Sequence, residues 1–155
     1  MTRNLRRVYA GWFAIVSAAI VFQLYLAGYG VFGFNALNGW HEGPHAHLPP
    51  GFDAHFIVGD LIGIAILVGV GLAFAARVPW RITYINGGLL VLMVIQFLLA
   101  HSGVQVIGAL HVVNGVLIFL LTLYLTSEAV KIVLRERASS PASPASTSSA
   151  PATHS

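Results

Sequence analysis

Two histidines stand in the same short pattern at two distant places in this chain. His55 is followed four residues later by Gly59, and His111 is followed four residues later by Gly115. Residues i and i+4 lie on one face of an α-helix, so each histidine has a glycine one turn away. Imidazole nitrogens bind haem iron from both sides, and a glycine leaves room for a planar cofactor. The pattern predicts a b-type haem between the two histidines, with copper or zinc as the alternative metal. Close helix packing is the other explanation of the glycines.

Three further polar residues belong to the predicted site. Gln23 and Gln96 lie in apolar stretches, and His101 follows Gln96 by five residues. Polar side chains in hydrocarbon are costly and tend to face the interior of a bundle. The glutamines could bond across helices or line the cofactor site. His101 could bond a haem propionate, relay protons or serve as a third metal ligand.

A second group of histidines lies between the first two apolar stretches. His41, His45 and His47 occur within seven residues, beside Glu42. Such a segment could hold copper or zinc, cover the edge of a haem, or form a polar lid. Asp60 is the one acid well inside an apolar stretch. It could pair with Asn114, a tyrosine or water, or take part in a proton relay.

The elements that position these residues are four apolar runs. Hydrophobic residue types make up 57% of the 155 residues and charged types only 8%. A bilayer crossing needs about 20 apolar residues. The runs cover residues 8–34, 50–76, 82–101 and 106–130. We predict an all-α bundle of four transmembrane helices.

The basic residues predict how the bundle is oriented. All eight fall before the first run, between the second and third runs, or after the fourth: Arg3, Arg6, Arg7, Arg77, Arg81, Lys131, Arg135 and Arg137. Basic residues concentrate on the cytoplasmic side of membrane proteins. Both termini are therefore predicted to be cytoplasmic, in the cytoplasmic (inner) membrane. The charge of +3 is explained by topology and lipid headgroups, so nucleic-acid binding is not expected.

The two halves of the chain resemble each other. Gln-x3-Ala-x2-Gly begins at Gln23 and again at Gln96, and each copy is followed by His-x3-Gly. Two tandem helix-pair repeats with the same orientation are related by an axis along the membrane normal. This predicts that His55 and His111 face each other at equal depth, near the outer side. Residues 1–137 form the predicted transmembrane domain. Residues 138–155, rich in Ser, Pro, Ala and Thr, are predicted to be a disordered cytoplasmic tail.

At His55-x3-Gly59 and His111-x3-Gly115 the chain resembles one half of the heme A synthase family. Residues 8–130 also resemble small four-helix bacterial membrane proteins of the DUF6220 type, through the stretch Phe22–Phe32. The first resemblance implies that His55 and His111 are haem-iron ligands near the outer face. Two features depart from heme A synthases: this chain has a single four-helix unit, and its outer segments lack arginine and lysine.

The sequence thus favours a haem protein for electron transfer or haem handling, more than an enzyme. Its expected partners are the lipid bilayer and a quinone, a redox partner subunit or a second copy of the chain. Two alternatives stay open. A copper- or zinc-handling protein would use the histidines of the 41–47 segment. A small transporter or channel would use Gln23, Gln96 and Asp60 as a polar path.

Overall fold

The computed structural model describes residues 2–36, 50–102 and 104–139. They form four helices, α1 (Thr2–Ala36), α2 (Pro50–Ala75), α3 (Trp80–Ala100) and α4 (Gln105–Ala138). Helix α1 begins well before residue 8, and α4 continues well past residue 130. The extensions contain arginine, lysine and glutamate, which favour helix although they are not apolar. His41, His45, His47 and the tail 140–155 lie outside the described residues.

By length and composition, each of the four helices can cross a membrane. Large apolar side chains are exposed on every helix, including Ile15, Leu61, Leu98 and Leu120. Water-soluble proteins rarely expose contiguous apolar surface on this scale. Lipid is the solvent that these surfaces suit, so the predicted four-span membrane bundle is confirmed at this level.

The helices form a ring. Helix α1 packs on α2 and α4, and α3 packs on the same two neighbours, so α2 and α4 occupy diagonal corners. Arg6, near the start of α1, donates to the carbonyl oxygen of Ala76 just beyond α2 and forms an ion pair with Glu136 of α4. Helix α1 is therefore antiparallel to both neighbours. We call the end with Arg6, Ala76 and Glu136 the basic end, and the opposite end, with His55 and His111, the histidine end.

Buried apolar side chains from all four helices form the core. On α1 they include Tyr9 and Phe13, whose ring centroids are 4.9 Å apart. Asn86 of α3 is fully buried among them and donates to the carbonyl oxygen of Gly69 (3.0 Å) and to the Tyr9 hydroxyl (3.4 Å). This amide joins three helices, as polar side chains between membrane helices commonly do.

Helices α1 and α2 approach closely at two glycines of the histidine end. A Cβ atom added to Gly51 would lie 2.5 Å from the backbone nitrogen of Gly30, far inside van der Waals contact. Small residues allow helix backbones to approach closely in membranes. His55 lies one turn beyond Gly51 on the same face of α2, so this contact brings it against α1.

Candidate functional site

His55 and His111 face each other at the histidine end of the bundle. Their ring centroids are 6.1 Å apart and their planes are inclined by 64°. Helices α2 and α4 lie at diagonal corners of the ring, so side chains can approach this closely only by pointing towards its centre. Both histidines are half-buried. The structure therefore brings together the two imidazoles that the repeated pattern pairs.

A hydrogen bond to a backbone carbonyl oxygen orients the imidazole ring of each of the two histidines. His55 Nδ1 lies 3.1 Å from the carbonyl oxygen of Gln23, and His111 Nδ1 lies 3.3 Å from that of Gln96. A carbonyl oxygen can only accept, so each Nδ1 carries a proton and donates it. The lone pair of each neutral ring is then on Nε2. Metal-binding histidines commonly have this arrangement, in which the second nitrogen donates to a carbonyl oxygen and fixes the ring.

The glutamine side chains differ between the two halves. Gln23 Nε2 donates to the backbone oxygen of His55 (2.7 Å), and its buried Oε1 has no hydrogen-bond partner among the described residues. Gln96 Nε2 instead donates to Nε2 of His111 (3.2 Å), and its Oε1 accepts from Asn114 Nδ2 (2.7 Å). The second half is therefore more completely hydrogen-bonded than the first.

The two glycines of the pattern make room for these glutamines. A Cβ atom on Gly59 would lie 3.0 Å from Gln23 Nε2, and one on Gly115 would lie 3.3 Å from Gln96 Nε2. From the sequence pattern, the space beside each glycine was expected to hold a planar cofactor. In the structure, the side-chain amide of a glutamine occupies that space. A macrocycle between the imidazoles requires both amides to turn away.

His101 lies apart from the facing pair. It is exposed at the carboxyl end of α3, where Nδ1 donates to the carbonyl oxygen of Phe97 in its own helix (2.8 Å). Its nearest recorded ring contact is Phe56, at 6.4 Å between centroids. Within residues 2–36, 50–102 and 104–139, no three histidine or acidic side chains converge as a metal site. A closed zinc site, which usually has four protein ligands, is not assembled by these residues.

Asp60 faces an open groove between α2 and α3. The groove has a volume of about 440 Å³ and is also lined by Gly63, Met93 and Phe97. The Asp60 side chain is exposed, and no hydrogen bond of its carboxylate forms within the part of the chain that the structure describes. Asn114, a possible partner of Asp60 from the sequence, instead donates to Gln96 Oε1 and to the carbonyl oxygen of Leu92.

Asn114 belongs to the hydrogen-bond network of His111, a role that the sequence pattern did not predict. Its Nδ2 group donates to Gln96 Oε1 and to the carbonyl oxygen of Leu92 (2.9 Å), so it fixes the glutamine that contacts His111. One indication of this role was present in the sequence: Asn114 stands three residues after His111, on nearly the same face of the helix. The corresponding position after His55 is Val58, which explains why Gln23 Oε1 lacks an equivalent donor.

No protein-family model matches this chain, and neither a curated protein nor a solved structure matches it. The resemblances to heme A synthases and to DUF6220-type proteins therefore rest on the sequence motifs alone.

Proposed function

We propose that this protein binds one b-type haem between His55 and His111 and serves in electron transfer or haem handling within the membrane. The observation that carries the proposal is the 6.1 Å separation of the two imidazole centroids. Two imidazoles on opposite sides of one metal, with metal–nitrogen bonds of about 2 Å, have centroids roughly 6 Å apart. The spacing of α2 and α4 already suits such a pair of ligands.

The chain's own residues would hold and orient the iron ligands. His55 and His111 would bind iron through Nε2, while the carbonyl oxygens of Gln23 and Gln96 accept from Nδ1. These hydrogen bonds keep each ring in one tautomer and one orientation. When bound, the haem supplies reversible one-electron chemistry. Ligation by both histidines would fill the coordination positions that the haem leaves on iron, which would favour electron transfer over oxygen chemistry and a non-catalytic role.

The proposal includes a duplicated helix pair. The matched contacts of the two halves support it: in each, a histidine donates to the backbone of a glutamine, and a glycine accommodates that glutamine's amide. A pseudo-two-fold axis along the membrane normal would relate the halves. The likeness to one half of the heme A synthases, which have histidines on the second and fourth helices of each unit, agrees with this arrangement.

The proposed orientation follows from charge. The basic end carries all eight basic side chains, so it would face the cytoplasm of an inner membrane and the histidines would lie in the outer half. One haem near one face cannot carry electrons across the bilayer alone. A quinone, a redox subunit or a second copy would be its electron partner.

An absorption spectrum of the detergent-purified protein, with haem supplied during expression, tests the proposal. We expect a low-spin haem spectrum that His55→Ala or His111→Ala abolishes or converts to high spin. His101→Ala is the matched control, because His101 lies apart from the facing pair, and it should leave the spectrum unchanged. A spectrum that neither His55→Ala nor His111→Ala alters, or a protein that takes up no haem, would refute the assignment.

A copper ion between the same imidazoles is the second candidate. The amides of Gln23 and Gln96 beside Gly59 and Gly115 favour it, because a single ion needs less space than a macrocycle. Imidazole suits copper as a ligand. Metal analysis of protein purified without haem distinguishes the two candidates: about one copper per chain that is lost with His55→Ala favours the ion.

A further inference from the structure

A groove between α1 and α4 at the basic end combines charge with an apolar wall. Its volume is about 270 Å³. Two arginines and four apolar residues line it: Arg7, Ala10, Val130, Val133, Leu134 and Arg137. Val130 and Leu134 expose about half of their surface, so the groove opens to the surroundings of the bundle.

No acidic side chain of the described residues forms an ion pair with the two arginines of this groove. Neighbouring Arg6 donates to the carbonyl oxygens of Ala76 and Arg77 and pairs with Glu136, so its guanidinium is occupied. Arg7 and Arg137 are exposed, and neither side chain forms a hydrogen bond or ion pair within the described part of the chain. Each therefore presents a full set of donors.

The carboxylates of the basic end already form ion pairs with other basic side chains. Glu136 pairs with Arg6, and Glu128 pairs with Lys131. They are the only acids among the described residues of this end, against eight basic side chains. The excess of positive charge among the described residues favours anions from outside the protein, and the positive-inside pattern would place this end at the lipid headgroups.

We propose that this groove binds one anionic phospholipid, with its phosphate between Arg7 and Arg137 and an acyl chain along the four apolar residues. A guanidinium presents paired N–H groups that match phosphate oxygens. Basic pockets between transmembrane helices bind anionic headgroups. The apolar wall distinguishes a lipid from free phosphate, which would leave that wall uncovered. The inference is independent of the haem.

Native mass spectrometry of the full-length protein in detergent tests the site, with phosphatidylglycerol and phosphatidylcholine as probes. We expect saturable binding of one phosphatidylglycerol, and much weaker binding of phosphatidylcholine. The double variant Arg7→Gln/Arg137→Gln should weaken phosphatidylglycerol binding about 10- to 30-fold, since each arginine near a charged surface contributes to it.

The matched control is Arg77→Gln/Arg135→Gln, which removes two exposed charges from the same end but not from the groove. It should weaken binding less than about threefold. Equal weakening by both double variants would overturn the proposal in favour of diffuse surface charge. Displacement of the lipid by an equal concentration of glycerol phosphate would overturn it in favour of a free-phosphate site.

A charge-conserving variant guards against a general effect on folding. Arg7→Lys/Arg137→Lys keeps both positive charges and removes only the paired donor geometry. Its affinity for phosphatidylglycerol should lie between those of the wild type and the glutamine variant. An affinity as low as that of the glutamine variant, with an unchanged unfolding midpoint, would contradict phosphate recognition by charge at this position.

Discussion

A methyl group at Gly51 tests the close approach of α1 and α2 that holds His55 against the backbone of α1. In Gly51→Ala the new Cβ would lie 2.5 Å from the nitrogen of Gly30 and 2.8 Å from its Cα, whereas ordinary contact begins near 3.4 Å. Both of these atoms belong to the backbone, so rotation of a side chain cannot relieve the contact, and the Tyr29 ring, whose Cδ1 would lie 2.8 Å away, must also move. The two helices must separate locally by about 1 Å.

The expected magnitude follows from two opposing effects. Overpacking at a site of this kind destabilises by about 1–3 kcal/mol. Alanine in place of glycine stabilises a helix interior by about 1 kcal/mol. Gly71→Ala on the same helix is the matched control, because its Cβ would meet nothing within 4 Å. Gly51 lies in the first turn of α2, where alanine gains less than in the interior, so Gly51→Ala should be less stable than Gly71→Ala by at least the steric cost, about 1–3 kcal/mol.

Equilibrium unfolding in mixed micelles with increasing dodecyl sulfate, followed by circular dichroism, measures this difference. Separation of the helices by about 1 Å would also stretch the 3.1 Å contact from His55 Nδ1 to Gln23 beyond hydrogen-bonding range. If the proposed haem binds, Gly51→Ala should retain less of it than Gly71→Ala. Identical unfolding midpoints for the two variants would refute the close approach at Gly30.

Three further substitutions probe other contacts. Asn114→Val should destabilise the protein by about 1–2 kcal/mol, because it removes two hydrogen bonds and leaves Gln96 Oε1 unpaired; an unchanged midpoint in the same titration would contradict this. Asp60→Leu should stabilise membrane insertion by about 3 kcal/mol, since it removes a carboxylate that has no hydrogen-bond partner among the described residues from an open groove. A loss of stability in a membrane-insertion assay would instead reveal a partner for Asp60. Arg6→Gln should lower the free energy of unfolding by about 1–3 kcal/mol, because it removes the contacts of Arg6 with Glu136 and with the end of α2. Thermal unfolding followed by circular dichroism measures this loss, and a wild-type midpoint would contradict it.

Each of these substitutions has a matched control. Ser127→Ala removes an exposed hydroxyl that bonds only within α4, and it should be nearly neutral. Asp53→Leu removes a carboxylate from the first turn of α2, where the helix dipole favours negative charge, so it should not stabilise. Arg3→Gln removes an exposed arginine of α1 and should have little effect on unfolding.

Hydropathy predicted the number and order of the helices, but it underestimated the lengths of α1 and α4. Apolar runs mark the part of a helix that can lie in hydrocarbon, whereas α1 and α4 continue through charged residues. Helical faces were harder to predict. Phe13 is fully buried and Phe22 is 51% exposed, yet both are aromatic residues of α1. Lipid and protein core accept the same residue types, so residue type does not distinguish a buried face from a lipid-facing one.

The site was predictable where two copies of a pattern could be compared. The repeat paired His55 with His111, and the structure places their ring centroids 6.1 Å apart. The acceptors of their Nδ1 groups are backbone oxygens, which any residue at positions 23 and 96 could supply. Glutamine at those positions therefore gave no indication of this contact. Asn86, which joins α3 to α1 and α2, belongs to neither copy of the pattern, so comparing the copies did not identify it.

The unequal surroundings of the two imidazoles would make them unequal ligands in the proposed site. His55 Nε2 forms no hydrogen bond within the described residues, so no donor there competes with a metal for its lone pair. His111 Nε2 accepts from Gln96, and binding a metal would break that hydrogen bond. His55→Ala, which keeps only His111, should therefore bind a metal more weakly than His111→Ala in a titration. Equal affinities of the two variants would contradict this asymmetry.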